Sequence, residues 1–95
     1  MSKHFDIVWT NQFKKDYKLA MKRNLDIGLL DDIIRKLAHG EILPERNRDH
    51  ALVGAFSGYR ECHVRPDWLL IYRIEQDLLV LTLTRTGSHS DLFEI

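Results

Sequence analysis

The sequence predicts an α+β fold: one N-terminal strand, a two-helix hairpin, then a four-strand antiparallel meander, forming one small sheet with the helices on one face. Three observations predict it. Apolar residues recur at helical spacing between Thr10 and Gly40. From His50 onward the pattern changes to runs rich in aromatic and branched residues, separated by Ser57-Gly58 and Pro66-Asp67. The chain has 95 residues, 44% apolar and 29% charged, which suits one modest core and leaves no room for a second. Residues 1–95 are therefore expected to be a single domain.

Phe5 to Trp9 reads as the short first strand, and the Thr10 hydroxyl is placed to cap a helix running to about Asn24. Phe13, Tyr17, Ala20 and Met21 form its expected buried stripe. Lys14, Lys18 and Lys22, spaced by four, form a second stripe with Lys15 beside it. Asp26 can cap a second helix, in which Leu29, Leu30, Ile33, Ile34 and Leu37 recur, and Gly40 closes it. Residues 41–49 carry Pro44, Asn47 and five charged side chains without periodicity, the pattern of an exposed loop. Strands are expected near 51–56, 59–65, 68–75 and 78–85. Proline presets the first central position of a tight turn, which leaves Asp67 on the rim between two of these strands. A sheet of this order has one face covered by helices and the other partly open.

Lys and Arg number 14, as do Asp and Glu, so the overall charge gives no reason to propose nucleic acid. The distribution is uneven: residues 1–24 carry six basic and two acidic groups, and residues 46–73 carry five and three. Cys62 is the single cysteine, which excludes an internal disulfide and a multi-cysteine metal site and suits a reducing cytoplasm. Strand alternation puts Cys62 on the apolar face, as a core residue rather than a nucleophile. The stretch from Met1 to Trp9 has no long apolar segment and no small-residue cleavage site. No apolar run reaches the roughly 18 residues of a membrane span. Neither export nor membrane insertion is expected.

Chemistry is concentrated in the β half. Alternation along 59–65 places Tyr59, Glu61, His63 and Arg65 on one face, with Arg60, Cys62 and Val64 on the other. The last strand leads into Thr86, Gly87, Ser88 and His89, a small polar turn, followed by Leu92 and Phe93. Three histidines thus fall within residues 50–89. RNA cleavage by its own 2′-hydroxyl needs a base for that proton, an acid for the 5′ leaving oxygen, and cationic support for the phosphorane. Histidine suits either proton role. His50, His63 and His89, oriented or activated by Asp67 or Glu61, with Arg60 or Arg85 at the phosphate, would supply all of these without a metal.

The segment RDHALVGAFSGYRECHVRPDWLLIYRI (48–74), with LTRTGSHSDLF (83–93), resembles the YafQ branch of the RelE/ParE toxin superfamily. The resemblance rests on His-x-Leu-x-Gly at 50–54, Gly-Tyr-Arg at 58–60, His63 with Pro66-Asp67-Trp68, and Arg-Thr-Gly-x-His at 85–89. The first 40 residues match in element order and in the lysine-rich first helix. Members of that branch are α+β proteins that cut translated mRNA in the ribosomal 30S A site without a metal or other cofactor. The resemblance therefore implies a catalytic set at His50, His63, Asp67, His89 and Phe93, with Glu61 as a supporting carboxylate. On this reading Asp67 and His50 or His63 manage the 2′-hydroxyl proton and His89 protonates the leaving group. Arg60 and Arg85 face phosphate, Phe93 stacks a base, and Lys14, Lys15, Lys18 and Lys22 contact rRNA. It also implies a cognate antitoxin as partner, with operator DNA bound only through the toxin-antitoxin complex.

Each residue also has a plainer role. His50 could cap a loop, Phe93 could be C-terminal packing, and Arg60 and Arg85 could be ion-pair partners within the sheet. Asp67 is a common turn residue and Trp68 suits a core. His4 and His39 match no motif. A metal site built from the histidines and Asp67 is a further alternative, although their spacing matches no ligand motif. Two rival functions share these elements: a gyrase-inhibiting toxin of the ParE kind, whose relatives lack the histidine set, and a non-catalytic module whose polar sheet face docks another protein.

Overall fold

Thr10 starts the first helix as its hydroxyl predicts. In the computed structural model, which describes residues 4–93, its Oγ1 accepts from Phe13 N at 3.1 Å and α1 runs Asn11–Lys22. Asn24, at φ 57°, takes the left-handed turn that separates α1 from α2 (Ile27–Ala38). Asp26 precedes α2 without a side-chain cap bond. Gly40, at φ 72°, ends it, with Glu41 N bonding to Lys36 O and Gly40 N to Leu37 O at 3.0 Å each. That pair of bonds needs a left-handed residue after the helix, which glycine adopts without strain.

The sheet has five strands: β1 (Asp6–Trp9), β2 (His50–Ala51), β3 (Arg60–Arg65), β4 (Trp68–Glu75) and β5 (Val80–Gly87), in the order β1-β5-β4-β3-β2. β2 to β5 form the antiparallel meander, whereas β1 pairs parallel with β5. The sheet is therefore mixed. Hydropathy could not specify that pairing, because a short strand carries no mark of its neighbour. The strand expected at 51–56 shrinks to two residues. Gly54, at φ 66°, turns the chain into a 3-10 turn over Gly54–Phe56, and Val53 stands 85% exposed. The strand expected at 78–85 begins two residues later, because Leu79, at φ 52°, closes the preceding turn.

Leu70, Tyr72, Leu81, Leu83, Cys62 and Trp68 face α1 and α2, meeting Phe13, Leu30, Ile34 and Leu37 in the main core. Burial pushes the Cys62 thiol well up, as fits an inert core residue. Met21, expected in the buried stripe, is 50% exposed, and its place is taken by Asp16, which is buried. On the opposite face Leu69 and Ile71 pack under Leu92 and the half-buried Leu52, Tyr59 and Phe93. A third helix, α3 (His89–Phe93), supplies that cover. The helices are thus not confined to one face. A register shift in β5 pairs Tyr72 with Leu83 but Ile71 with Arg85, so simple alternation breaks between Leu83 and Arg85.

Candidate active site

Glu61 is the second residue of β3, opposite His50 on β2 and Ile71 on β4. Its carboxylate is buried between two imidazoles: Oε1 is 3.6 Å from His50 Nε2 and 3.5 Å from His63 Nε2. The other nitrogen of each ring is fixed by the backbone. His50 Nδ1 donates to Arg48 O at 2.6 Å, and His63 Nδ1 donates to Pro66 O at 3.2 Å. A carbonyl can only accept, so each ring carries its first proton on Nδ1 and turns Nε2 to the carboxylate. Glu61 and His63 share a face because they are two residues apart on one strand.

The β3–β4 hairpin puts Pro66 and Asp67 at its tip, where Asp67 meets the start of α3. Asp67 Oδ1 accepts from His89 Nδ1 at 2.8 Å and from His89 N at 3.1 Å. The His89 side chain, then its backbone N–H, holds the Asp67 carboxyl below the usual carboxylate range. The geometry thus pairs Asp67 with His89 rather than with His50 or His63. The His63 and His89 rings are 5.8 Å apart, and His89 is 6.4 Å from the Phe93 ring. Phe56 packs edge-on against Phe93 at 5.7 Å, which orients an aromatic face beside the histidines. Nothing in the spacing pointed to Phe56.

Beneath this pair lies a buried polar frame. Trp68 Nε1 donates to Thr86 Oγ1 at 3.0 Å, and Thr86 Oγ1 donates to Leu69 O at 2.7 Å. Asp16 of α1 accepts from Thr86 N at 3.1 Å and from Arg85 Nε at 2.8 Å. A Cβ on Gly87 would stand 3.0 Å from the Asp91 Cβ, so the motif's glycine lets α3 fold back tightly. Asp91 accepts from Arg23 Nη1 at 2.8 Å and Ser88 N at 3.0 Å, which ties α3 to α1. The Arg23 hydrogen bond is the main cause that lowers the Asp91 carboxyl to about 2, below its ordinary 3.8.

This depressed value carries a sign. The stabilisation is fully present above the unfolded value near 3.8 and is lost as pH falls through about 2. The urea midpoint is therefore expected to fall between pH 4 and pH 2, and Asp91→Asn should flatten that part of the profile. An identical profile in the variant would remove Asp91 from the acid response.

The remaining predicted residues divide. Arg60 lies on the helix-facing side of β3, opposite Tyr72, and pairs with Asp49 at 3.3 Å. It is not brought to the histidines. Arg85 is bound to Asp16 through Nε and Nη2, which leaves Nη1 uncommitted among the described residues. Lys14, Lys15, Lys18 and Lys22 are exposed on α1 and make no ion pair among the described residues. Glu61, His63 and His89 each offer a ligand atom within 4.8 Å of the others, a two-nitrogen, one-oxygen set that suits a zinc or copper ion. Asp67, named with the histidines as an alternative metal ligand, is absent from that set.

A family model described as "Bacterial toxin of type II toxin-antitoxin system, YafQ" matches residues 5–94. The chain is 43% identical over 89 residues to the mRNA interferase toxin YafQ of Escherichia coli strain K12, covering 93% of this chain and 95% of that one. It resembles the toxin in the crystal structure of the E. coli DinJ-YafQ toxin-antitoxin complex, with a TM-score of 0.87 and 41% identity, over 95% of this chain and 98% of that chain. A metal-bound toxin from Helicobacter pylori superposes with a TM-score of 0.86 at 39% identity, over 98% of this chain and all of that one.

Proposed function

The chain belongs to the YafQ family of bacterial toxins of type II toxin-antitoxin systems, and from that premise we propose that it is an mRNA interferase whose endoribonuclease activity depends on the ribosome. It cuts translated mRNA in the A site, in the cytoplasm. A cognate antitoxin neutralises it, as the DinJ-YafQ complex suggests by likeness, and operator DNA is met only through that complex.

The observation that carries the reading is the apposition of two acid-base groups of different build. Glu61 with His63 is a buried carboxylate-imidazole pair, and Asp67 with His89 is a solvent-facing one, with the two rings 5.8 Å apart. His63 Nε2, backed by Glu61, takes the 2′-hydroxyl proton, and His50 stands on the same carboxylate as a second acceptor. The 2′-oxygen attacks phosphorus and the bond to the 5′-oxygen breaks. His89 Nε2 delivers its proton to that oxygen, leaving a 2′,3′-cyclic phosphate and a 5′-hydroxyl. Asp67 acts through His89: its negative charge favours the imidazolium that must form before the proton is given. Arg85 Nη1 supports charge on the phosphorane, and Phe93 stacks a neighbouring base.

A divalent cation would be held by Glu61, His63 and His89, where it would supply Lewis-acid charge at the phosphate. The proton inventory above is complete without it. A cation bound there would take the lone pairs that the proton transfers use. Primer extension on a reporter mRNA in a translating extract tests both points. Codon-phased cuts are expected; they should survive a chelator that takes zinc and copper but spares magnesium, weaken with added zinc, and vanish when the start codon is removed. Equal cutting of the untranslated message would overturn ribosome dependence, and loss of cutting under that magnesium-sparing chelator, with translation intact, would overturn the metal-free mechanism.

A further inference from the structure

We propose that the groove between the 3-10 turn at Glu45–Asn47 and the β3–β4 hairpin binds RNA phosphodiesters flanking the scissile bond, through Arg46, Arg48 and Arg65. The inference rests on the nuclease reading. The groove encloses about 570 Å³; its lining includes these three arginines with Asn47, His63 and Pro66, and no carboxylate. All three arginines are exposed, and none makes an ion pair among the described residues. Arg60 differs, since Asp49 already neutralises it, as does Arg85, which Asp16 holds. In a chain of zero net charge, three unpaired guanidiniums beside a histidine site are a local source of attraction for a polyanion. Planar guanidinium groups also match phosphate oxygens geometrically.

The arginines are held in register with the histidines. Asn47 is buried and donates from Nδ2 to His63 O at 2.7 Å. Arg48, in the left-handed region at φ 46°, presents its carbonyl to His50 Nδ1. Arg65 ends the strand that carries Glu61 and His63. A strand of RNA lying in the groove would therefore arrive at His63 with its backbone already fixed.

The test uses the full-length protein with Arg46→Gln, Arg48→Asn and Arg65→Gln combined, and a second variant with lysine at all three positions. Asparagine tolerates the left-handed backbone at residue 48. Two probes are titrated over a range of salt: an uncleavable 2′-O-methyl RNA 12-mer, read by anisotropy, and mRNA-free ribosomes, read by sedimentation. The neutral variant is expected to lose about 10- to 100-fold in affinity at 0.1 M salt. Its log-log salt slope should fall by roughly 2, at about 0.7 per phosphate contact on a single strand. Lysine should restore most of the slope.

Loss on the 12-mer supports message phosphates as the ligand, and loss confined to ribosomes, which would make rRNA the ligand, overturns the proposal. Unchanged slopes on both probes overturn the proposal. So does a defect limited to binding of the antitoxin, which would make the groove a protein-docking surface. Both probes report binding whether or not the strand is cut. A wild-type protein that binds both probes yet leaves a translated reporter mRNA uncut sinks the nuclease reading, whereas one that cuts that message, with unaltered binding in the neutral variant, sinks only this inference.

Discussion

Replacing His89 by alanine is expected to lower codon-phased mRNA cutting by about 10²- to 10⁴-fold, the usual worth of one positioned general acid, and to abolish growth arrest on induced expression. His89 stands at the start of α3, where its ring is half exposed, so little packing is lost with it. Fold stability should stay within about 0.5 kcal/mol, as for other surface changes. Asp67→Asn should cost less, on the order of 10-fold. The amide oxygen can still accept from Nδ1, but the charge that favours the imidazolium is gone. The ordering matters as much as the sizes. If Asp67 were itself the base, its asparagine variant would be as inactive as His89→Ala, and the pairing of Asp67 with His89 would be incidental. Undiminished cutting by His89→Ala would leave the polar sheet face as a docking surface without chemistry.

Most of this site was legible in the sequence because it is built from short-range geometry. Two-residue spacing put Glu61 and His63 on one face, and a proline-led turn put Asp67 at a rim. Strand register then did the rest, bringing His50 opposite Glu61. Contacts that depend on how distant elements dock were not legible. Asp67 and His89 are 22 residues apart, and Asp16 and Arg85 are 69 apart; no periodicity links either pair. Arg60 shows the converse. Its motif suggested phosphate, yet alternation alone already assigned it to the face away from His63, where Asp49 neutralises it. The β-bulge in β5 was not legible either, since one extra residue shifts the register between Leu83 and Arg85 without a mark in the hydropathy.

Asp16 carries the second large expectation, on stability. It sits mid-helix on α1, where an acidic residue reads as solvated, but it is 8% exposed and accepts four hydrogen bonds: from Gln12, from Arg85 twice, and from Thr86 N. Asp16→Ala should leave the buried Thr86 N–H without a partner, at about 1–3 kcal/mol, and Arg85 without its counter-charge. Breaking a fully buried ion pair costs about 3–5 kcal/mol. The Arg85 side chain keeps 31% of its surface in water, so solvent repays part of that loss. A net loss of about 2–3 kcal/mol follows, enough to lower the melting temperature of a domain this size by roughly 10–20 °C. Asp16→Asn should lose less than half as much, because its amide oxygen still serves Thr86 N. In a double-mutant cycle with Arg85→Ala, the two losses should fall short of additive, since removing both partners strands no charge. Thermal unfolding followed by circular dichroism reads all four variants, the double included. A shift under about 3 °C for Asp16→Ala would mean that the carboxylate is dispensable. The expected larger shift would instead make Asp16 the post that holds β5, and through Thr86 and Gly87 the His89 turn, against the helix layer.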